Sequence, residues 1–178
     1  MSEIKILPML PCHAEAVLQI YKEGLETKEA TFNTEAPAWE QWDRDHHQYS
    51  RFVALVGTEV GAWVALSPVS GRYCYRGLAE FSIYVAAKYR GQGLGDRLMQ
   101  AIIPESEANG IWTLQSSTFP ENMASIKLQK KYGFREIGYR EKVAELHGVW
   151  RNTVLLERRS DKIGTVRQHT LTEESTKV

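Results

Sequence analysis

The chain has 178 residues, 43% of them apolar and 25% charged, which is the size and composition of one globular domain. Its 22 basic and 22 acidic residues cancel, so the overall charge disfavours binding to nucleic acid or to an anionic membrane. No N-terminal apolar segment is long enough for a signal peptide or a membrane span, and the two cysteines, Cys12 and Cys74, stand at no metal-binding spacing. We therefore expect a cytoplasmic protein that binds no metal.

The first part of the chain predicts a strand, a helix and a polar loop. Residues 4–8 predict a short strand, and apolar residues three or four apart predict a helix over residues 12–27. Residues 27–35 lack periodicity and predict a loop, with Phe32 as its aromatic residue. A lone aromatic side chain in a polar loop either covers a ligand or packs into the core, and packing is the more common case.

A second helix is predicted over residues 36–47, and it carries two pairs of large side chains. Trp39 and Trp42 are three residues apart and therefore share one face, which indicates core packing. His46 and His47 are adjacent, so on a helix they would point about 100° apart, and no third metal ligand is near in sequence. We therefore predict two surface histidines and no metal site.

Residues 51–56 and 60–67 predict two strands joined by a turn at residues 57–59, which is a β-hairpin pattern. An irregular connection follows over residues 68–77. It brings two arginines and two tyrosines close to the next strand: Arg72, Tyr73, Tyr75 and Arg76.

Residues 79–109 combine a strand, a glycine-rich turn and a helix. Apolar residues alternate over residues 79–85, which is typical of a strand, and recur at helical spacing from about Gly93. Pro104 lacks a backbone N–H, so we expect it to kink or shorten this helix.

The turn at residues 90–95 reads Arg-Gly-Gln-Gly-Leu-Gly. Its three glycines allow a tight turn and a close approach of a ligand to the backbone. At a helix N-terminus, free amides and the helix dipole favour an anion such as a pyrophosphate. Asp96 stands where the dinucleotide fingerprint G-x-G-x-x-G requires its third glycine, and no G-x-x-x-x-G-K phosphate loop is present.

The rest of the chain predicts a strand over residues 111–117, a helix that opens at residues 120–128 and ends near Gly133, and two strands over residues 135–146 and 149–158. The pattern predicts one α+β domain over residues 1–160, with a mixed α/β sheet flanked by helices. Residues 161–178 are polar and predict a mobile tail.

The turn and the strand before it resemble the acyl-coenzyme A loop of the GCN5-related N-acetyltransferases. Residues 3–159 together resemble the branch of that superfamily that includes phosphinothricin and methionine sulfoximine acetyltransferases. The matching segments are residues 30–35, 79–85, 90–95, 121–126, 132–134 and 147–152. The resemblance implies a mostly antiparallel twisted sheet, with acetyl-CoA bound where a central strand pair splays apart. It also implies a small amino acid-like acceptor and a homodimer.

Carried over residue by residue, the resemblance assigns cofactor contacts to a strand segment, the glycine turn and one asparagine: Ile83, Tyr84, Val85, Arg90, Gly91, Gln92, Gly93, Leu94, Gly95, Asp96 and Asn122. Asn122 also stands where a helix N-cap is expected, and both roles are compatible. The chain departs from the family at Gln129, where many members have a tyrosine that protonates the departing thiolate. Glutamine cannot act as that acid, and the resemblance assigns the role to no other residue.

The resemblance assigns the catalytic base to Glu80, which matches the family's strand glutamate beside the acceptor. Phe32, Tyr75 and Arg76 are predicted to contact the acceptor, with Arg76 pairing with its carboxylate. The implied reaction is direct attack of the acceptor amine on the thioester in a ternary complex. Two alternatives share the same fold: a protein or peptide N-terminal acetyltransferase, and a non-catalytic dimer that binds coenzyme A.

Overall fold

The computed structural model describes residues 3–164 of the chain. These residues form seven strands and four α-helices, joined by short 3₁₀ turns: β1 Ile4–Pro8, α1 Ala14–Glu26, α2 Trp39–Asp45, β2 Phe52–Val56, β3 Glu59–Pro68, β4 Leu78–Val85, α3 Leu94–Ala108, β5 Thr113–Thr118, α4 Met123–Lys131, β6 Arg135–Leu146 and β7 Val149–Arg159.

The strands form one sheet in the order β1-β2-β3-β4-β5-β7-β6. Each neighbouring pair is antiparallel except β4 and β5, which run parallel. That parallel pairing covers only residues 78–80 of β4 against residues 113–115 of β5. Beyond it β4 continues to Val85 and β5 to Thr118 without pairing with each other, so the two strands splay apart. The predicted mixed, mostly antiparallel sheet with a splayed central pair is confirmed.

Helices cover both faces of the sheet, because alternate side chains of the central strands point to opposite sides. On one face α3 and α4 pack over Phe81 and Leu114, with buried apolar side chains that include Leu94, Leu98, Met99, Ile102 and Ile126. On the other face α1 and α2 pack over Trp63 and Tyr84, through Val17, Ile20, Tyr21 and Trp42.

Tertiary packing overrides the local signal at two places, where the predicted shortening of α3 at Pro104 and the predicted surface position of His46 are wrong. Helix α3 runs through Pro104 to Ala108 and is not shortened, since Ser106 and Glu107 in its last turns are buried and Glu107 accepts from Arg158 Nη1 at 3.1 Å. His46 is half-buried and stacks on Trp42 with ring centroids 3.9 Å apart, so it is no surface residue. Desolvation in this position lowers the pKa of His46.

The end of the described chain is held against the domain. Lys162 Nζ lies 3.2 Å from Glu107 Oε2, and Arg159 donates to the carbonyl of Ile163 at 2.9 Å. Residues 165–178, the larger part of the predicted tail, lie outside the described residues. None of the helices in residues 3–164 is long and apolar enough to cross a membrane.

Candidate active site

Two adjoining cavities occupy the region where β4 and β5 separate. The larger, which we call the groove, has a volume of about 740 Å³ and runs past the end of β4 and the first turns of α3 and α4. The smaller, which we call the Glu80 cavity, has a volume of about 230 Å³ and lies between β4, β5 and the loop after α1. Five residues line both cavities, so the two form one continuous site: Ala30, Ile83, Tyr84, Asn122 and Ser125.

The glycine turn gives the groove a wall made of backbone. Gly91 and Gly93 have φ angles of 75° and 80°, which residues with a Cβ rarely adopt, and a Cβ on either would meet no atom within 4 Å. Gly93 is the N-cap of α3, and no side chain within the described part of the chain caps that helix end. The first amides of α3 therefore have no partner inside the helix and can bind an anion in the groove.

Ten of the eleven predicted cofactor residues line the groove. The exception is Gln92, whose amide donates to the carbonyl of Lys88 at 3.0 Å. Asp96 carries a negative charge in this wall, and Lys131 Nζ lies 2.5 Å from its carboxylate. The hydrogen bond from Lys131 lowers the pKa of Asp96, so an anion in the groove meets a compensated charge.

The splay leaves one edge of β4 open to the groove. Residues 79–85 pair with β3 on one side, but on the other side β4 pairs with β5 only up to Glu80. Ile83 and Val85 line the groove beyond that point. Backbone N–H and C=O groups on an unpaired strand edge can bind an extended ligand, much as a further strand would.

Asn122 performs its predicted capping role and a second one. Its Oδ1 accepts from the backbone N–H of Ser125 at 3.2 Å, which caps α4, and its Nδ2 donates to the carbonyl of Glu29 at 3.3 Å. It therefore ties the loop after α1 to the start of α4, at the junction of the two cavities.

Glu80 lies where the pairing of β4 and β5 ends. One carboxylate oxygen accepts from Gln115 Nε2 at 2.9 Å and the other from the backbone N–H of Ser117 at 3.2 Å. Burial raises the pKa of Glu80, and these two hydrogen bonds partly oppose that shift. The carboxylate is thus fixed across the gap between the strands, with raised basicity. The two partners from β5 could not be read from the sequence.

A polar cluster in the wall of the Glu80 cavity was missed by sequence reasoning. Gln129 is 1% exposed, and its Oε1 accepts from the Ser116 hydroxyl at 2.5 Å. Its Nε2 lies 3.0 Å from Ser125 Oγ and 3.3 Å from Thr118 Oγ1. The available signal was a glutamine three residues after the apolar Ile126 on α4, together with three consecutive hydroxyl residues at the end of β5, Ser116, Ser117 and Thr118.

The loop after α1 covers the Glu80 cavity. Phe32 lines the cavity and packs edge-on against Phe119, with ring centroids 4.8 Å apart. Arg151 lies over the Phe119 ring at 4.5 Å and donates to the carbonyl of Lys28 at 3.1 Å. Phe32 therefore both packs against a buried ring and faces the cavity.

Tyr75 and Arg76 line neither cavity. The Arg76 guanidinium lies 4.1 Å from the centre of the Tyr73 ring and 5.1 Å from that of Trp112. Tyr75 is 43% exposed. Of the three residues predicted to contact the acceptor, only Phe32 lines the Glu80 cavity in the described single chain.

The chain matches the family model described as the Acetyltransferase (GNAT) family over residues 14–134, which is more than half of its length. The chain belongs to the GNAT family of acetyltransferases. It is therefore an acetyl-CoA-dependent N-acetyltransferase. Within residues 3–164 no group of three or more histidine, cysteine or acidic side chains could hold a metal ion.

Relatives of this GNAT domain carry names that describe small acceptors. YwnH of Bacillus subtilis, provisionally named a phosphinothricin acetyltransferase, is 34% identical over 140 residues, 75% of this chain and 85% of its own length. The L-methionine sulfoximine/L-methionine sulfone acetyltransferase of Pseudomonas paraeruginosa is 34% identical over 83 residues, 47% of this chain and 48% of its own.

A solved structure confirms the fold of the GNAT domain. The phosphinothricin acetyltransferase of Sinorhizobium meliloti, determined with acetyl-CoA bound, superposes with a TM-score of 0.80 at 23% identity and covers 88% of both chains. The fold predicted from the sequence resemblance is the one found.

Proposed function

We propose that this acetyltransferase transfers the acetyl group of acetyl-CoA to the amine of a small amino acid or analogue, of the phosphinothricin or methionine sulfoximine type. The observation that carries the proposal is a fixed carboxylate, Glu80, in a small cavity that shares a wall with the cofactor groove. We further propose that the amine attacks the thioester directly while both reactants are bound.

The charge of the Glu80 cavity favours an amine. Among residues 3–164, Glu80 is the one acidic side chain that lines the cavity, and no lysine, arginine or histidine lines it. Most amino acid amines are protonated near neutral pH. If the pKa of the amine lies about two to three units above the working pH, removing its proton costs about 3–4 kcal/mol. A carboxylate with a raised pKa attracts the ammonium group and accepts its proton more readily than an ordinary glutamate.

Direct attack is favoured because the cavity lining offers no activated nucleophile. The described residues that line it include serines and threonines but no cysteine, and no histidine that could activate a hydroxyl. Cys12 and Cys74 are free, exposed and outside both cavities. Holding the amine and the thioester together at the cavity junction then supplies the main rate advantage.

The size of the cavity favours a small acceptor. Its volume of about 230 Å³ lies somewhat below the usual range of small-molecule sites, and Phe32 covers part of it. The printed names of the relatives agree with an amino acid analogue as the acceptor. An N-terminal peptide acceptor would need an open groove beyond Phe32.

The test is a thiol-release assay with acetyl-CoA across free amino acids, phosphinothricin, methionine sulfoximine and short peptides, with products identified by mass spectrometry. We expect N-acetylated small acceptors and no acetylated peptide. Transfer to peptides alone would replace the proposal with the protein acetyltransferase alternative. Binding of acetyl-CoA without transfer to any amine would replace it with a non-catalytic binding protein.

We propose that the enzyme is a homodimer and that it acts in a reducing cytoplasm. The β6–β7 hairpin supports the first proposal, because it exposes four large apolar side chains: Ile137, Tyr139, Val149 and Trp150. Light scattering at micromolar concentration tests it, and a monomer would contradict it.

A further inference from the structure

We propose that the Ser125 hydroxyl donates a hydrogen bond to the sulfur of acetyl-CoA as the thiolate leaves, and that Gln129 positions that hydroxyl. The inference rests on the proposed function. Many family members have a tyrosine at position 129 that protonates the departing thiolate, and this chain has a glutamine there. The proposal assigns the stabilisation of that thiolate to Ser125 instead.

The position of the reacting sulfur follows from the two cavities. The acyl-CoA arm reaches the site through the groove, and the thioester carbon must meet the amine in the Glu80 cavity. The sulfur therefore lies at the junction, beside the residues that line both. Among these, the side chains of Tyr84, Asn122 and Ser125 carry a polar hydrogen.

Two of the three donors are held by other contacts. The Tyr84 ring packs against Trp63 and Tyr21, with ring centroids 4.7 Å and 5.1 Å away, which holds it in the apolar cluster beneath α1. Asn122 caps α4 through one end of its amide and donates to Glu29 through the other.

The hydrogen bonds of Gln129 leave the Ser125 proton available. The Ser116 hydroxyl donates to Gln129 Oε1 at 2.5 Å, which turns Gln129 Nε2 toward Ser125 Oγ at 3.0 Å. An amide Nε2 can only donate, so the Ser125 oxygen accepts this hydrogen bond. The hydroxyl hydrogen of Ser125 is therefore not used in it. Within residues 3–164 the Ser125 hydroxyl donates to no other group. Accepting one hydrogen bond also strengthens the bond that a hydroxyl donates.

The proposed step exchanges a C–S bond for a C–N bond. The amine nitrogen bonds to the acetyl carbon, the C–S bond breaks, and its electron pair stays on sulfur. The nitrogen of an incoming ammonium loses two protons in all, one to solvent through Glu80 and one that ends on sulfur, so that free thiol leaves. Ser125 keeps its own proton, because a serine hydroxyl is a far weaker acid than a thiol, and it acts by hydrogen bonding alone.

The test compares Ser125→Ala with Ser106→Ala, a matched change in α3 outside both cavities, where the buried hydroxyl donates to the Ile103 carbonyl. We expect Ser125→Ala to lower kcat about 10- to 100-fold, as for loss of a hydrogen bond to a charged group, with little change in the KM for acetyl-CoA. Ser106→Ala is expected to keep kcat. Should Ser125→Ala fail to fold, Gln129→Glu carries the test. A carboxylate there would draw the Ser125 proton away from sulfur, so kcat relative to wild type should fall as pH rises through the new ionisation.

A second readout needs no acceptor. The thiol of coenzyme A bound to the protein is titrated by its ultraviolet thiolate absorbance, and we expect its pKa to lie about one unit lower in wild type than in Ser125→Ala. Equal thiol pKa values together with an unchanged kcat in Ser125→Ala would overturn the inference. A wild-type protein that acetylates no amine yet shows the difference in thiol pKa would overturn the proposed function and leave the role of Ser125 in place.

Discussion

The groove and the Glu80 cavity share a wall but are built in different ways. The groove owes its anion site to backbone: two glycines at positive φ and the uncapped start of α3, all within residues 91–96. The Glu80 cavity is built from side chains on β4, β5, α4 and the loop after α1. A site made of contiguous backbone tolerates changes in most surrounding side chains, whereas a site assembled from distant side chains depends on each of them.

The largest expected loss of activity comes from a substitution in the Glu80 cavity, which is built from side chains. We expect Glu80→Gln to lower kcat about 10²- to 10⁴-fold, the usual range for loss of a general base. In wild type the rate should rise with pH as Glu80 loses its proton, above the ordinary pKa of a glutamate, because burial raises its pKa. The loss in Glu80→Gln should shrink as pH approaches the pKa of the amine itself. A pH–rate profile of the variant that matches wild type would leave Glu80 as a positioning residue.

The anion site of the groove, which is built from backbone, is tested by adding a side chain to the glycine turn. We expect Gly93→Val to weaken acetyl-CoA binding about 10-fold or more, because it strains the turn and places a side chain over the amides. Gly110→Val is the matched control: Gly110 follows the other end of α3, has the same φ of 80°, and its Cβ would also meet nothing within 4 Å. Calorimetry should show weakened binding for Gly93→Val alone. Equal losses in both variants would assign the effect to backbone strain rather than to the anion site.

The two sites also differ in how far the sequence could predict them. The glycine turn was predictable because a local pattern fixes local backbone, and the bounds of β6 and β7 followed from the same kind of signal. The partners of Glu80 were not, because Gln115 and Ser117 reach it only through the packing of β5 beside β4. The course of α3 past Pro104 and the burial of His46 also depend on tertiary contacts that no local pattern encodes.

The extent of the acceptor site is tested by truncating the three side chains that were predicted to contact the acceptor. We expect Phe32→Ala to raise the KM for the acceptor about 10-fold through lost apolar contact. Tyr75→Ala and Arg76→Ala should change it by less than about twofold, since surface substitutions away from a site have small effects. A raised KM in Arg76→Ala, measured with the same acceptor, would mean that Arg76 contacts the acceptor after all.

The smallest effect is expected at Asn122, where the two halves meet. Asn122→Ser keeps an N-cap for α4 but loses the bond to the Glu29 carbonyl, whereas Asn122→Ala loses both. We expect Asn122→Ala to lower the free energy of unfolding by about 1 kcal/mol, and Asn122→Ser by less. Denaturant unfolding measures the difference. Equal stability of the two variants would mean that the cap contributes nothing.

The most direct test of the account is a crystal structure with coenzyme A and the N-acetylated acceptor bound together. We expect the pyrophosphate on the amides of residues 91–96 and the sulfur beside Ser125. We also expect the acceptor nitrogen within about 2.6–3.2 Å of a Glu80 carboxylate oxygen, or one water away. An acceptor bound outside the Glu80 cavity, with its nitrogen beyond the reach of Glu80, would contradict this expectation.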